Sequence, residues 1–163
     1  MITEVYARSR SWANENIFSI LENNGHTFFI SIHDTYEGQS KPVFTPFLRM
    51  ATLGDGSRHP RKLALNFSDI EKQYQQVLGG PYESKLMTQG QAREAVDFLR
   101  PLIETRGNYI LYVNCLAGVS RSGAFARFVA NRSGISDEWM AENNPVIYPN
   151  FHVLKLLSEE WDR

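Results

Sequence analysis

The chain has 163 residues, 42% of them apolar and 12% aromatic, enough to fill the core of a single domain covering residues 1–163. A formal net charge of −1 argues against bulk binding to nucleic acid or to an anionic membrane. The one cysteine, Cys115, excludes an internal disulfide and any thiol relay within the chain. With no signal peptide, transmembrane run or lipidation motif in view, a reducing cytoplasm is the expected setting.

Ile2-Thr3-Glu4-Val5-Tyr6-Ala7 predicts a short first strand. Ser11 is the expected cap of a helix carrying Trp12, Ile17, Phe18 and Leu21, closed by Asn23-Asn24-Gly25. Phe28 to Ile32 predicts a second strand, apolar enough for a sheet interior. His33-Asp34-Thr35 follows, and its loop runs on through Glu37-Gly38 and Pro42. Ligand loops gather at strand C-termini in open α/β sheets, so Asp34 is a candidate for the mouth of a site. Both His33 and Asp34 also suit a turn held by local hydrogen bonds. His26, His33, His59 and His152 have no metal-ligand spacing and no cysteine cluster beside them, so no metal site is expected.

Residues 43–60, punctuated by Pro46, Gly54, Gly56 and Pro60, read as a solvated loop, with a small basic group at Arg58, Arg61 and Lys62. Leu63 to Phe67 predicts a third strand, followed at once by Ser68-Asp69-Ile70. Asp69 suits the cap of a helix starting near Ile70. Glu71 to Leu78 reads as a short helix closed by Gly79-Gly80-Pro81. Thr88 opens a longer one with Ala92, Ala95, Val96, Leu99 and Ile103 on one face, which Pro101 should kink or shorten. Arg106-Gly107-Asn108 then turns the chain.

The next stretch carries the chemistry. Tyr109 to Val113 is apolar and β-prone, and Ala124 to Asn131 is helix-prone. Between them lies a short loop with Gly118 in its middle. A strand, a tight loop and a helix N-terminus aim several backbone N–H groups inward, and the helix dipole adds positive charge, which makes an anion site. Arg121 supplies a planar fork for two phosphate oxygens. Cys115 stands under the same donors, which favour a thiolate and so an activated nucleophile. Ser122 offers a hydroxyl to steady the sulfur. Other readings fit less well. A lone Cys after an apolar strand is by default a small buried hydrophobe. A hydrolase nucleophile elbow needs Gly where Ser122 stands. A nucleotide P-loop needs Lys where Ala124 stands.

Ser136 to Asn143 reads as a further helix. Pro145-Val146-Ile147-Tyr148-Pro149-Asn150 then leads into a last one with Phe151, Val153, Leu154, Leu157 and Trp161. No internal repeat or domain linker is visible. The βαβ alternation implies a three-layer α/β domain, a mainly parallel sheet flanked by helices.

Cys115, five residues, then Arg121 and Ser122 resembles the signature loop of the cysteine-based protein tyrosine and dual-specificity phosphatases. The form Ala117-Gly118-Val119-Ser120-Arg121-Ser122-Gly123 most resembles the small dual-specificity-like members of bacterial or phage type. The resemblance implies phosphomonoester hydrolysis through a phosphocysteine, with no metal or cofactor. It implies that Cys115 is the nucleophile and that Ser122 stabilises it on departure. Arg121 would hold phosphate together with the N–H groups of Leu116, Ala117, Gly118, Val119 and Ser120. Phe67-Ser68-Asp69-Ile70 resembles the segment that delivers the family's general acid, making Asp69 that acid with Asp34 as the alternative. Pro149-Asn150 resembles the family's loop-supporting asparagine, although Asn150 equally suits a helix cap. The family's usual His before the nucleophile is Asn114 here, which hydrogen-bonds but carries no charge. The implied partner is a phosphorylated protein, phosphotyrosine ahead of phosphoserine or phosphothreonine, with neither nucleic acid nor membrane. Two alternatives stay open. One is a phospho-binding module of weak activity. The other is a phosphatase for phosphoinositides or RNA 5′ phosphates, against which the loop's lack of lysine argues.

Overall fold

Four strands line up in parallel in a computed structural model that describes residues 1–34, 59–69 and 86–163. In chain order the elements are β1 (Ile2–Ser9), α1 (Arg10–Asn23), β2 (Thr27–His33), β3 (Lys62–Asn66), α2 (Gln89–Glu104), β4 (Tyr109–Cys115), α3 (Arg121–Ser133), α4 (Asp137–Asn143) and α5 (Phe151–Trp161). The expected loop through Glu37-Gly38 and Pro42, residues 43–58 and the helix over 71–78 with its Gly79-Gly80-Pro81 stop lie outside the described residues.

The strand order is β1-β4-β2-β3. Tyr6 faces Tyr112 and Ser9 faces Cys115 on one side of β4, while Ile30 faces Val113 and Ser31 faces Asn114 on the other. β2 and β4 are central, and β2 is buried at six of its seven positions, as a strand covered on both faces must be. α1 covers one face. Ile17 and Leu21 pack on Phe29, and Trp12 stacks on Tyr112 at 5.0 Å between ring centres. The other face carries the main core, where Val5, Ile30, Leu111 and Val113 meet Val96, Leu99, Phe125, Phe128 and Leu157 from α2, α3 and α5. Phe125 and Phe128 are wholly buried, each contributing roughly 1.5–3 kcal/mol relative to exposure. The architecture is therefore the expected three-layer α/β arrangement.

Two local expectations are corrected. Ser9, not Ser11, caps α1: its hydroxyl accepts from the Trp12 N–H at 3.2 Å, and the helix starts at Arg10. Phe18 is exposed, and the apolar stripe of α1 is formed by Ala13, Ile17 and Leu21, with Trp12 beside them on Tyr112. α2 runs through Pro101 as far as Glu104. The proline sits in the last turn, where it forfeits one donor and its carbonyl still accepts from Thr105. The outer edge of β1 is closed by Asn144, whose amide accepts from Ala7 N–H at 2.7 Å and donates to the Val5 carbonyl at 2.9 Å.

This topology locates the site. β1 and β2 are consecutive in sequence, yet β4 lies between them. The connections on either side of β4 therefore diverge at its carboxyl end, which is where open α/β sheets leave a ligand crevice. Cys115 is the last residue of β4.

Candidate active site

The sulfur of Cys115 lies 3.2 Å from the Ser122 hydroxyl and is almost fully buried. Burial pushes the thiol up. The Ser122 hydroxyl, the backbone N–H groups of Ser122 and Gly118 and the Arg121 charge together outweigh burial, and the net shift is downward. These donors converge because the loop turns tightly at Gly118, whose φ of 79° is left-handed. A Cβ at that position would lie 2.5 Å from the Arg8 carbonyl carbon and the Ser9 nitrogen, so the loop rests directly on the end of β1.

α3 begins immediately after the loop. Its N-cap, Ser120, makes no side-chain cap hydrogen bond, leaving the first N–H groups of the helix uncovered by the usual hydroxyl. The Ser120 hydroxyl instead donates to Asp69 at 2.7 Å. The same carboxylate oxygen accepts from the Asn150 amide at 3.0 Å. Asn150 also caps α5 through Val153 N–H at 3.1 Å, and its own N–H donates to the Ser120 carbonyl. It is thus both helix cap and loop support, and it fixes Asp69 against the loop. Whether Asp69 caps a helix at Ile70 lies outside the described residues.

Arg121 is buried, with 3% of its side chain exposed. One end of its guanidinium, Nη1, donates to Asp34 at 2.6 Å and to the Phe67 carbonyl at 2.8 Å. Its Nε is buried without a hydrogen-bond partner among the described residues. A buried donor of that kind is costly unless something fills the place opposite it. Asp34 is therefore not in a purely local turn: one oxygen is committed to Arg121.

Asn114 points elsewhere. Its amide donates to the Ser31 hydroxyl at 3.0 Å, tying β4 to β2. The Ser31 hydroxyl is in turn 3.0 Å from His33 Nε2. Since Ser31 accepts from Asn114, its hydrogen is free to go to His33, which makes Nε2 an acceptor. The His33 ring is pushed down to about 4, first by burial and then by the charge of Arg10, with Asp34 opposing and Arg121 adding to it, so it is neutral near pH 7. Sequence reasoning passed over Ser31, the Phe67 carbonyl and Arg10. Arg10 left one signal, a cation at a helix start with no acidic residue in the first turn.

The fold these elements build is that of the cysteine-based protein tyrosine and dual-specificity phosphatases. The chain is similar to the solved structure of the PTP-2 phosphatase of Cydia pomonella, with a TM-score of 0.56 and 16% identity, covering 96% of this chain and 85% of that one. It is also similar to the Yvh1 phosphatase domain of Chaetomium thermophilum, with a TM-score of 0.52 and 18% identity, covering 98% and 90%. No family model and no curated protein sequence matches the chain. Among the described residues no helix is long and apolar enough to cross a membrane.

Proposed function

We propose that the protein hydrolyses phosphomonoesters of phosphorylated proteins through a phosphocysteine intermediate. One observation carries this reading. The Cys115 sulfur sits under convergent N–H donors, beside an arginine anchored by one end whose Nε has no hydrogen-bond partner among the described residues. The Cys115 thiolate attacks phosphorus in line, and the bond from phosphorus to the leaving oxygen breaks. Arg121 and the N–H groups of residues 116–120 hold the equatorial oxygens and complement the charge of the transition state. Asp69, held against the loop by Ser120 and Asn150, gives its proton to the leaving oxygen. In the second step Asp69 takes a proton from the attacking water, and the sulfur leaves as a thiolate steadied by Ser122. Asp69 is preferred to Asp34 as the acid because one oxygen of Asp34 is already committed to aiming Arg121, at 2.6 Å from its Nη1. Loop residues Leu116 to Ser120 include no lysine, which favours a phosphorylated side chain over a polyphosphorylated lipid headgroup. A thiolate nucleophile works in a reducing compartment, so the cytoplasm is part of the proposal.

Cys115→Ser tests it. The variant keeps the backbone donors and Arg121, so it should retain phosphopeptides on a column while hydrolysis ceases. Near-normal turnover in this variant would overturn the covalent mechanism.

A further inference from the structure

Asp34 is shared by two arginines. One oxygen accepts from Arg121 at 2.6 Å. The other is buried without a hydrogen-bond partner among the described residues and lies 3.7 Å from Arg10 Nη2. Arg10 is the first residue of α1, where the helix dipole disfavours a cation and no acidic residue of the first turn offsets it. The helix gains nothing from a positive charge there. The side chain nevertheless reaches across to β2, donating to the Ile32 carbonyl at 3.4 Å, while its Nε is buried without a partner among the described residues. Its backbone N–H donates to the Leu116 carbonyl at 3.3 Å, which fixes the start of α1 to the first residue of the signature loop. Local rules are broken in this way where a site needs the residue.

We propose that Arg10 is a positioning residue for the phosphate site: it balances Asp34, so that Arg121 keeps its positive charge for the bound phosphate. This rests on the phosphate-hydrolysis reading and deepens it. The argument is one of charge. Asp34 is needed to aim Arg121, because Nη1 is held by the carboxylate and by the Phe67 carbonyl. A lone carboxylate at that distance would also cancel the guanidinium charge. An incoming phosphate would then meet a neutral pair beside a thiolate. With Arg10 on the second oxygen, the trio carries one net positive charge, and the aim of Arg121 is retained without the cancellation. Arg10 works through Asp34, since its Nη2 is directed at the Ile32 carbonyl and at the Asp34 carboxylate.

A double-mutant cycle tests this with inorganic phosphate as the probe. Protection of Cys115 from iodoacetamide gives the phosphate affinity without any need for turnover. Arg10→Met should weaken protection by roughly tenfold, the scale of coupling between residues in direct contact. In the Asp34→Asn background the same substitution should change it by less than about twofold, since no carboxylate remains to be balanced. Structural damage from losing the Arg10 side chain would persist in both backgrounds. Equal losses in the two backgrounds would overturn the proposal, showing that Arg10 touches phosphate itself or only supports the fold. An unchanged affinity in Arg10→Met would also overturn it. A wild-type Cys115 that phosphate does not protect would overturn the phosphatase reading, and this inference with it.

Discussion

Replacing Gly118 with alanine puts the loop geometry to a direct test. Gly118 is held at a φ of 79°, a conformation that costs a residue with a Cβ about 1–2 kcal/mol. The added methyl would also lie 2.5 Å from the Arg8 carbonyl carbon and the Ser9 nitrogen. Both are backbone atoms of β1, which pairs with β4 and cannot swing aside as a side chain would. Overpacking of that kind adds about 1–3 kcal/mol. The sum is a destabilisation of roughly 2–5 kcal/mol. A domain of this size loses about 2–4 °C per kcal/mol, so the melting temperature of Gly118→Ala should fall by roughly 4–20 °C. If the loop moves away from β1 to relieve the contact, the Gly118 N–H moves off the Cys115 sulfur and one of the influences lowering the thiol pKa is lost. The pH midpoint of Cys115 alkylation should then rise along with the loss of stability. Thermal unfolding followed by circular dichroism, with the pH profile of iodoacetamide reactivity, reads both. An unchanged melting temperature together with an unchanged alkylation profile would refute the reasoning, since it would mean that the loop neither needs the left-handed turn nor rests on β1.

Arg121→Lys should lower kcat/KM by roughly two or more orders of magnitude, because a point charge cannot hold Asp34, the Phe67 carbonyl and two phosphate oxygens at once; a loss under about tenfold would mean that another residue holds the phosphate. Asp69→Asn keeps an oxygen that can accept from Ser120 and Asn150, so the loop should stay in place while ~10²–10⁴-fold of rate is lost on phenyl phosphate and far less on an ester with an acidic phenol. Equal, small losses on both esters would remove Asp69 from the mechanism. For His33 the folded value of about 4 lies below the ordinary one of 6.5, so below pH 6.5 the unfolded chain binds the extra proton. The stabilisation is full above 6.5 and is lost as the pH falls towards 4. Urea unfolding should show wild type losing more stability than His33→Gln between pH 7 and pH 5, and parallel losses would show that His33 is not the buried neutral group described here.

Some of this protein follows from neighbours in sequence. Cys115, the loop and Arg121 stand on a strand, a turn and a helix start that succeed one another without a break, so their convergence was legible from residue order. The 3.2 Å contact between Cys115 and Ser122 is made within that one unit. The buried face of α2 was legible for a similar reason, since helical spacing puts Ala92, Ala95, Val96, Leu99 and Ile103 on one side whatever they pack against. Asn150 was ambiguous between cap and loop support because capping is a local act, whereas its bond to Asp69 joins residues 81 apart in sequence. The remaining partnerships depend on which strands lie side by side. Hydrophobic periodicity tells a strand from a helix but does not say that β4 slips between β1 and β2. That order brings Asn114 to Ser31, and it brings Arg10, Asp34 and Arg121, from segments that follow three different strands, into one charge cluster. In sequence Asp34 could only be weighed as a turn residue or an alternative acid. Its pairing with Arg121 spans 87 positions and exists because the carboxyl ends of β2 and β4 are adjacent in the folded sheet.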